Sequence, residues 1–135
     1  MLAAGRKVGE DESGGSRENR LRCVAQVIDA LASVMGIARV GLRISPGNRY
    51  NDHVDADPQA TYGALLRMAQ RTGIARVHAI LRPSTGIARL ALPRDNFSGV
   101  LIGSDRLTAP QADAQLSAYA LAAVAFVGLY SATPY

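Results

Sequence analysis

Three groups of residues in this 135-residue chain have types and spacings that invite chemistry. The first is the acidic loop Asp52-His53-Val54-Asp55-Ala56-Asp57, dense in cation ligands. It lacks the mid-loop glycine and closing glutamate of a calcium-binding hand. Asp57-Pro58 is also a strong helix start, with Asp as N-cap and Pro at the first helical position. Helix capping beside a solvated loop is therefore expected, and no metal site is assigned. The second is Cys23, the only cysteine. Its helical spacing near an apolar face predicts a buried, inert thiol rather than a nucleophile. The third is a pair of polar residues inside apolar, strand-like runs: Arg43 in Val40-Gly-Leu-Arg-Ile-Ser-Pro46 and His78 in Ala75-Arg-Val-His78. Taken alone, such an arginine ends a strand in a salt bridge, and such a histidine is structural.

Composition narrows the classes. Lys7 is the only lysine among fifteen basic residues, and the arginines run from Arg6 to Arg106 without a dense block. With 5% aromatic residues and no basic stripe, nucleic-acid binding is not expected despite a net charge of +4. One cysteine excludes a disulfide framework and a multi-thiolate zinc centre. The start carries no secretory h-region, so the cytoplasm is the default compartment. Residues 114–135 hold no charge and have bilayer-spanning length. Alanine content and interruptions at Gln115, Ser117 and Pro134 favour a helix followed by a strand over a membrane anchor.

The elements that must position these residues alternate. Leu21, Val24, Ile28, Leu31 and Met35 share one helical face, so a helix is expected over Arg17 to Met35, capped by Ser16 and stopped by Gly36. Arg39 to Ser45 reads as a buried strand. A polar loop from Asn48 leads to a helix opening at Asp57-Pro58, with Tyr62, Leu65, Leu66 and Ala69 inward and Gly73 as its end. Ala75 to Leu81 is a second strand. Ser84 to Leu92 reads as a short helix with Ile87, Leu90 and Ala91 inward, stopped by Pro93. Gly99 to Gly103 is a third strand. Thr108 and Gln111 have capping-box spacing and open a helix to Tyr119. Ala122 to Val127 is the fourth strand. The segment Gly36-Ile-Ala-Arg-Val40 returns as Gly73-Ile-Ala-Arg-Val77, consistent with a shared helix-to-strand junction or with chance; a third copy begins at Gly86. Strands alternating with helices argue for βαβ units on a parallel sheet. A (β/α)8 barrel uses about 31 residues per unit, so this length holds about four units. Half a barrel leaves two raw strand edges that invite pairing.

Several stretches, in order, resemble the old yellow enzyme family of FMN-dependent NAD(P)H:flavin oxidoreductases. Asp11-Glu-Ser-Gly-Gly-Ser-Arg-Glu-Asn-Arg20 resembles the family's D-E-Y-G-G-S-x-E-N-R. Val40 to Pro46 resembles V-G-x-R-L-S-P, and Asn51-Asp52 with Asp55 to Pro58 resembles N-D-x-x-D-x-D-P. Ala75 to His78 is similar to A-Y-L-H. Phe97 to Gly103 and Ala123 to Phe126 fit the last two barrel strands. The resemblance implies that residues 11–135 are the carboxy-terminal half of a (β/α)8 TIM barrel, strands five to eight, after a non-matching segment 1–10. It implies FMN as cofactor and NAD(P)H as reductant, with hydride passed through FMN to an activated alkene in intact homologues.

The resemblance also implies roles. Arg43 matches the arginine beside the flavin N1 and O2 edge, where a guanidinium stabilises negative charge on the reduced ring. Gly103, Ser104 and Gly128 match cofactor-side positions at the ends of the last two strands. Tyr50 matches a loop position at the active-site mouth. No catalytic residue is implied, because the substrate-binding His/Asn or His/His pair and the proton-donating tyrosine belong to segments without a counterpart here. Departures stand out. The family's N-G-G-Y-like turn, whose amides approach the FMN phosphate, reads Ser104-Asp-Arg-Leu107, and the Gly-Arg pair after strand eight reads Val127-Gly128. These weaken the phosphate grip and favour a truncated, inert remnant over a working half. The expected partners are a separate amino-terminal half-barrel or a second copy, with neither nucleic acid nor membrane.

Overall fold

The computed structural model describes residues 15–46, 55, 57–80 and 91–126. Helix α1 spans Arg17–Met35, β1 Gly41–Ile44, α2 Pro58–Thr72 and β2 Arg76–Ile80. They are followed by α3 at Ala91–Asn96, β3 at Val100–Asp105, α4 at Ala109–Tyr119 and β4 at Ala123–Phe126. The four strands form one sheet in the order β1-β2-β3-β4, and every pairing is parallel. This is the arrangement of four consecutive strands of a (β/α)8 barrel.

Local chemistry sets the boundaries. Ser16 accepts the Asn19 amide at 3.2 Å and opens α1. Asp57 accepts the Ala60 amide at 3.0 Å and opens α2, with Pro58 at its first position. At the start of α4, the Gln111 side chain accepts the Thr108 amide at 2.9 Å. Each such cap is worth about 1 kcal/mol. Gly36 and Gly73 end α1 and α2 at φ +82° and +73°, a conformation that costs a side-chain-bearing residue. Both helix-to-strand junctions of the repeated segment therefore begin with a glycine at positive φ. The copies are not in register, however. A 3₁₀ turn at Ile37–Arg39 delays β1, so Val77 pairs with Leu42 rather than with Val40.

The core lies between the helices and one sheet face. Leu65 and Leu66 of α2, Val77 of β2 and Leu101 of β3 are fully buried. Each contributes about 1.5–3 kcal/mol of burial. Ile28, Ile44 and Ala69 belong to the same cluster.

Four expectations need correction. Leu31 and Met35 of α1 are 42% and 44% exposed, so the covered stripe is Leu21, Val24, Ile28 and Ala32. The β1 strand is half-covered rather than buried: Gly41 and Arg43 are exposed and Ile44 alone is buried. Pro93 does not stop a helix but sits in the first turn of α3, where its missing N–H forfeits no helical bond. The β3 strand runs on to Asp105, two residues into the expected turn. Cys23 is half-buried. Residues 81–90, which include the helix expected from Ser84 and the third copy of the repeat, lie outside the described residues.

Candidate functional site

Strand alternation divides the sheet into two faces. Ile44, Val77, Ala79 and Leu101 point to the helices, and Gly103 shares their side through its partners Ala79 and Val124. The other face is led by a row across three strands, Arg43, His78 and Ile102, in direct register. Ser104 stands one step further along, opposite Ile80 and Ala125. The core helices do not cover this face: Gly41, Arg43, Arg76 and Ala123 are exposed, and Val100 is 47% exposed. In a closed barrel it is the inner face.

The row concentrates polar chemistry. Among the described residues no carboxylate reaches Arg43, so the expected strand-end salt bridge is not made there; the one ion pair described is Arg17 with Asp57, at 3.5 Å. Burial holds the His78 pKa below its ordinary value, and the Arg43 charge lowers it further. The imidazole is accordingly neutral at pH 7. Its Nε2 is buried without a hydrogen-bond partner among the described residues, and so is the Oγ of the fully buried Ser104. A buried orphan atom costs about 1–3 kcal/mol until something pairs with it. A fixed cation, a neutral imidazole and an unsatisfied hydroxyl on one face suit the polar edge of a planar, electron-rich ligand.

The end of β3 behaves differently. In (β/α)8 enzymes the backbone after the seventh and eighth strands often takes a phosphate. Here the Asp105 carboxylate accepts the Arg106 amide at 2.7 Å. The turn thus engages that amide with its own carboxylate.

The sequence-derived residues separate accordingly. Arg43 and Ser104 share the sheet face opposite the helices, exposed at Arg43 and fully buried at Ser104, whereas Gly103 lies on the helix side. Tyr50 and Gly128 lie outside the described residues, as do Asp52 and His53 of the acidic loop. Asp55 accepts the Asp57 amide at 3.2 Å and the Thr61 hydroxyl at 3.4 Å, a helix-capping use. Among the described residues no cluster of His, Cys, Asp or Glu is placed to hold a metal. No described helix is long and apolar enough to cross a membrane.

Sequence reasoning missed Arg94. Its guanidinium donates to the carbonyls of Tyr119 at 3.1 Å and Ala120 at 2.9 Å, and to those of Phe97 and Gly99 at 3.4 Å. It binds the carboxy-terminal end of α4 to the loop before β3. Its position beside Pro93 gave no signal, because two of the carbonyls it meets, those at the end of α4, are 25 and 26 residues away.

Comparison with known proteins gives a consistent result. Residues 6–96 match the model of the NADH:flavin oxidoreductase / NADH oxidase family. That match begins five residues before the Asp11 motif and stops short of β3. The chain is 40% identical over 95 residues to the "Probable flavin mononucleotide-dependent alkene reductase" of Leishmania infantum, covering 67% of this chain and 26% of that protein. It is 36% identical over 102 residues to 12-oxophytodienoate reductase 1 of Oryza sativa subsp. japonica, covering 70% and 27%. The chain thus spans about a quarter of the length of these curated relatives. Morphinone reductase in complex with tetrahydroNAD superposes with a TM-score of 0.85 at 34% identity, over 93% of this chain and 34% of that one. The old yellow enzyme of Trypanosoma cruzi superposes at 0.87 with 25% identity, over 96% and 36%. The likeness in fold therefore continues through β3 and β4, beyond the family-model match.

Proposed function

The chain belongs to the NADH:flavin oxidoreductase / NADH oxidase family, that of old yellow enzyme, and on that premise we propose that it carries one side of an FMN-linked hydride-transfer site. The observation that carries this reading is the register of Arg43 with His78 on the sheet face opposite the helices, with the buried, unsatisfied Ser104 hydroxyl beside them. FMN, when bound, supplies a hydride carrier between NAD(P)H and an alkene activated by an electron-withdrawing group. Arg43 places a permanent positive charge where negative charge on a ring edge is stabilised. His78 stays neutral and offers a ring nitrogen, and Ser104 offers a hydroxyl. No residue of this chain is assigned as proton donor, so reduction of an alkene requires groups from elsewhere.

A second reading has its own observation. The ring-side residues fit the cofactor, but the β3 turn does not fit its phosphate, because Asp105 already holds the Arg106 amide. On this reading the chain keeps the family fold as an inert remnant without its cofactor. Flavin-fluorescence titration of the full chain with FMN separates the two. Saturable quenching at micromolar FMN, weakened at least tenfold by R43A and less by R43K, supports the first reading. Release of the Arg106 amide by D105G adds a charge-assisted contact worth about 1.5–3 kcal/mol, a tightening of about tenfold or more. Absence of quenching in wild type and D105G, with the helix and strand signals intact by circular dichroism, establishes the second.

A further inference from the structure

We infer that Tyr62 is a positioning residue for Arg43: its hydroxyl ties the carbonyl just past β1 to α2 and so fixes the strand end that presents the guanidinium. The tie is local geometry; its consequence for a flavin ring rests on the reading proposed above.

Arg43 stands on a weakly held piece of backbone. The β1 strand is four residues long, and Ile44 is its one buried residue. Its pairing with β2 ends at Ile44 with Ala79, one step beyond Arg43 with His78. A short strand end with few buried contacts opens easily unless the chain beyond it is held.

The holding group comes from α2. Tyr62 shares a helical face with Leu65, Leu66 and Ala69 and packs against the core cluster that contains them. Its hydroxyl donates to the Ser45 carbonyl at 3.4 Å. Ser45 is the first residue past β1 and the second past Arg43. Tyr62 therefore acts from the helix side of the sheet, through the backbone, on a side chain presented on the other side. Packing at this position asks only for a ring; the bond asks for the hydroxyl.

The donor is itself fixed. Neighbouring Thr61 is 1% exposed, and its hydroxyl donates to Asp55 Oδ1 at 3.4 Å. The same oxygen accepts the amide of Asp57, the α2 cap, at 3.2 Å. Burial and the Asp55 charge both push the Tyr62 pKa above its ordinary 10. The phenol thus keeps its proton and stays a donor at neutral pH.

His78 reports where the Arg43 charge stands, since burial and then that charge depress its pKa. Among the described residues the other charge on this face is Arg76, on the same strand as His78. The β3 strand brings Ile102 and Ser104, and β4 brings Ala123 and Ala125, none of which ionises near neutral pH. Tyr62→Phe alters no charge, so it moves His78 only by moving what surrounds it.

Proton NMR titration of the full chain tests this. In H53Q the one remaining imidazole is that of His78. In that background R43A is expected to raise the His78 pKa, and Y62F to raise it part of the way. Y62F is expected to add nothing once R43A is present, the mark of an effect that passes through Arg43. T61V removes the adjacent buried hydroxyl without touching Ser45 and is expected to leave His78 unmoved. Equal His78 values with and without Y62F overturn the proposal. So does a Y62F shift undiminished by R43A, a T61V shift as large as that of Y62F, or an R43A chain in which His78 titrates as before. The titration uses no flavin, so it decides the role of Tyr62 even in a chain that takes up no FMN. Where wild type quenches FMN fluorescence, Y62F is expected to weaken binding about two- to fivefold, less than R43A. Unchanged affinity there overturns the role at the flavin edge.

Discussion

His78 is the residue whose titration reports on the sheet face. Burial and the Arg43 charge depress its pKa in the folded chain below the ordinary 6.5. The unfolded chain therefore takes up the proton first as pH falls. Stability is fully present above about pH 6.5 and is lost as pH drops toward the folded value. Urea midpoints measured at steps below pH 7 are expected to fall, and H78N is expected to flatten that part of the slope; an equal slope in H78N refutes the assignment. What was legible at this scale follows from residue type. An arginine and a histidine inside apolar runs stand out in a sequence, and motif resemblance gave Arg43 its expected place beside the flavin. Ser104 was legible only as a position in a motif, because serine is ordinary at strand ends. Its burial and its missing partner depend on what the neighbouring strands bring beside it.

Helix starts were readable because their chemistry is local: Ser16, Asp57 and the Thr108–Gln111 pair each act within three residues. The ends at Gly36 and Gly73 were readable for the same reason. The errors arose where tertiary contacts override local pattern. Pro93 looks like a stop, but it serves equally well inside a first turn. The β3 strand continues through Ser104 and Asp105 because β2 and β4 both pair with it at Ser104 and β4 pairs with it at Asp105. Leu31 and Met35 lie on the apolar face that periodicity finds, yet periodicity cannot tell that only half of it is covered. Arg94 shows the same limit. Carbonyls at the end of α4 have no intrahelical partner, and a cation there also meets the negative end of the helix dipole. R94M keeps most of the side-chain bulk and removes these bonds, so it is expected to cost about 2 kcal/mol by chemical denaturation. R94K, which cannot span the same carbonyls with a planar fork, recovers only part of that. A loss within experimental error in R94M excludes the clamp.

The fold class was the most legible property of the whole molecule, because alternating helix and strand patterns leave few topologies other than a parallel sheet. The balance between covered and uncovered surface was not legible, since it depends on how far round the sheet turns. That balance decides what unfolding should look like. Such a sheet has an apolar core on one side only; its other face carries Arg43 and Arg76 with no carboxylate among the described residues. The two guanidiniums repel each other, and salt screens that repulsion while leaving apolar burial intact. The melting temperature should therefore rise as ionic strength increases from low values. In R76Q that rise should be smaller, because one of the two like charges is gone. Scanning calorimetry over a tenfold range of salt decides the matter: an equal rise in R76Q would mean that repulsion on this face does not set the salt dependence.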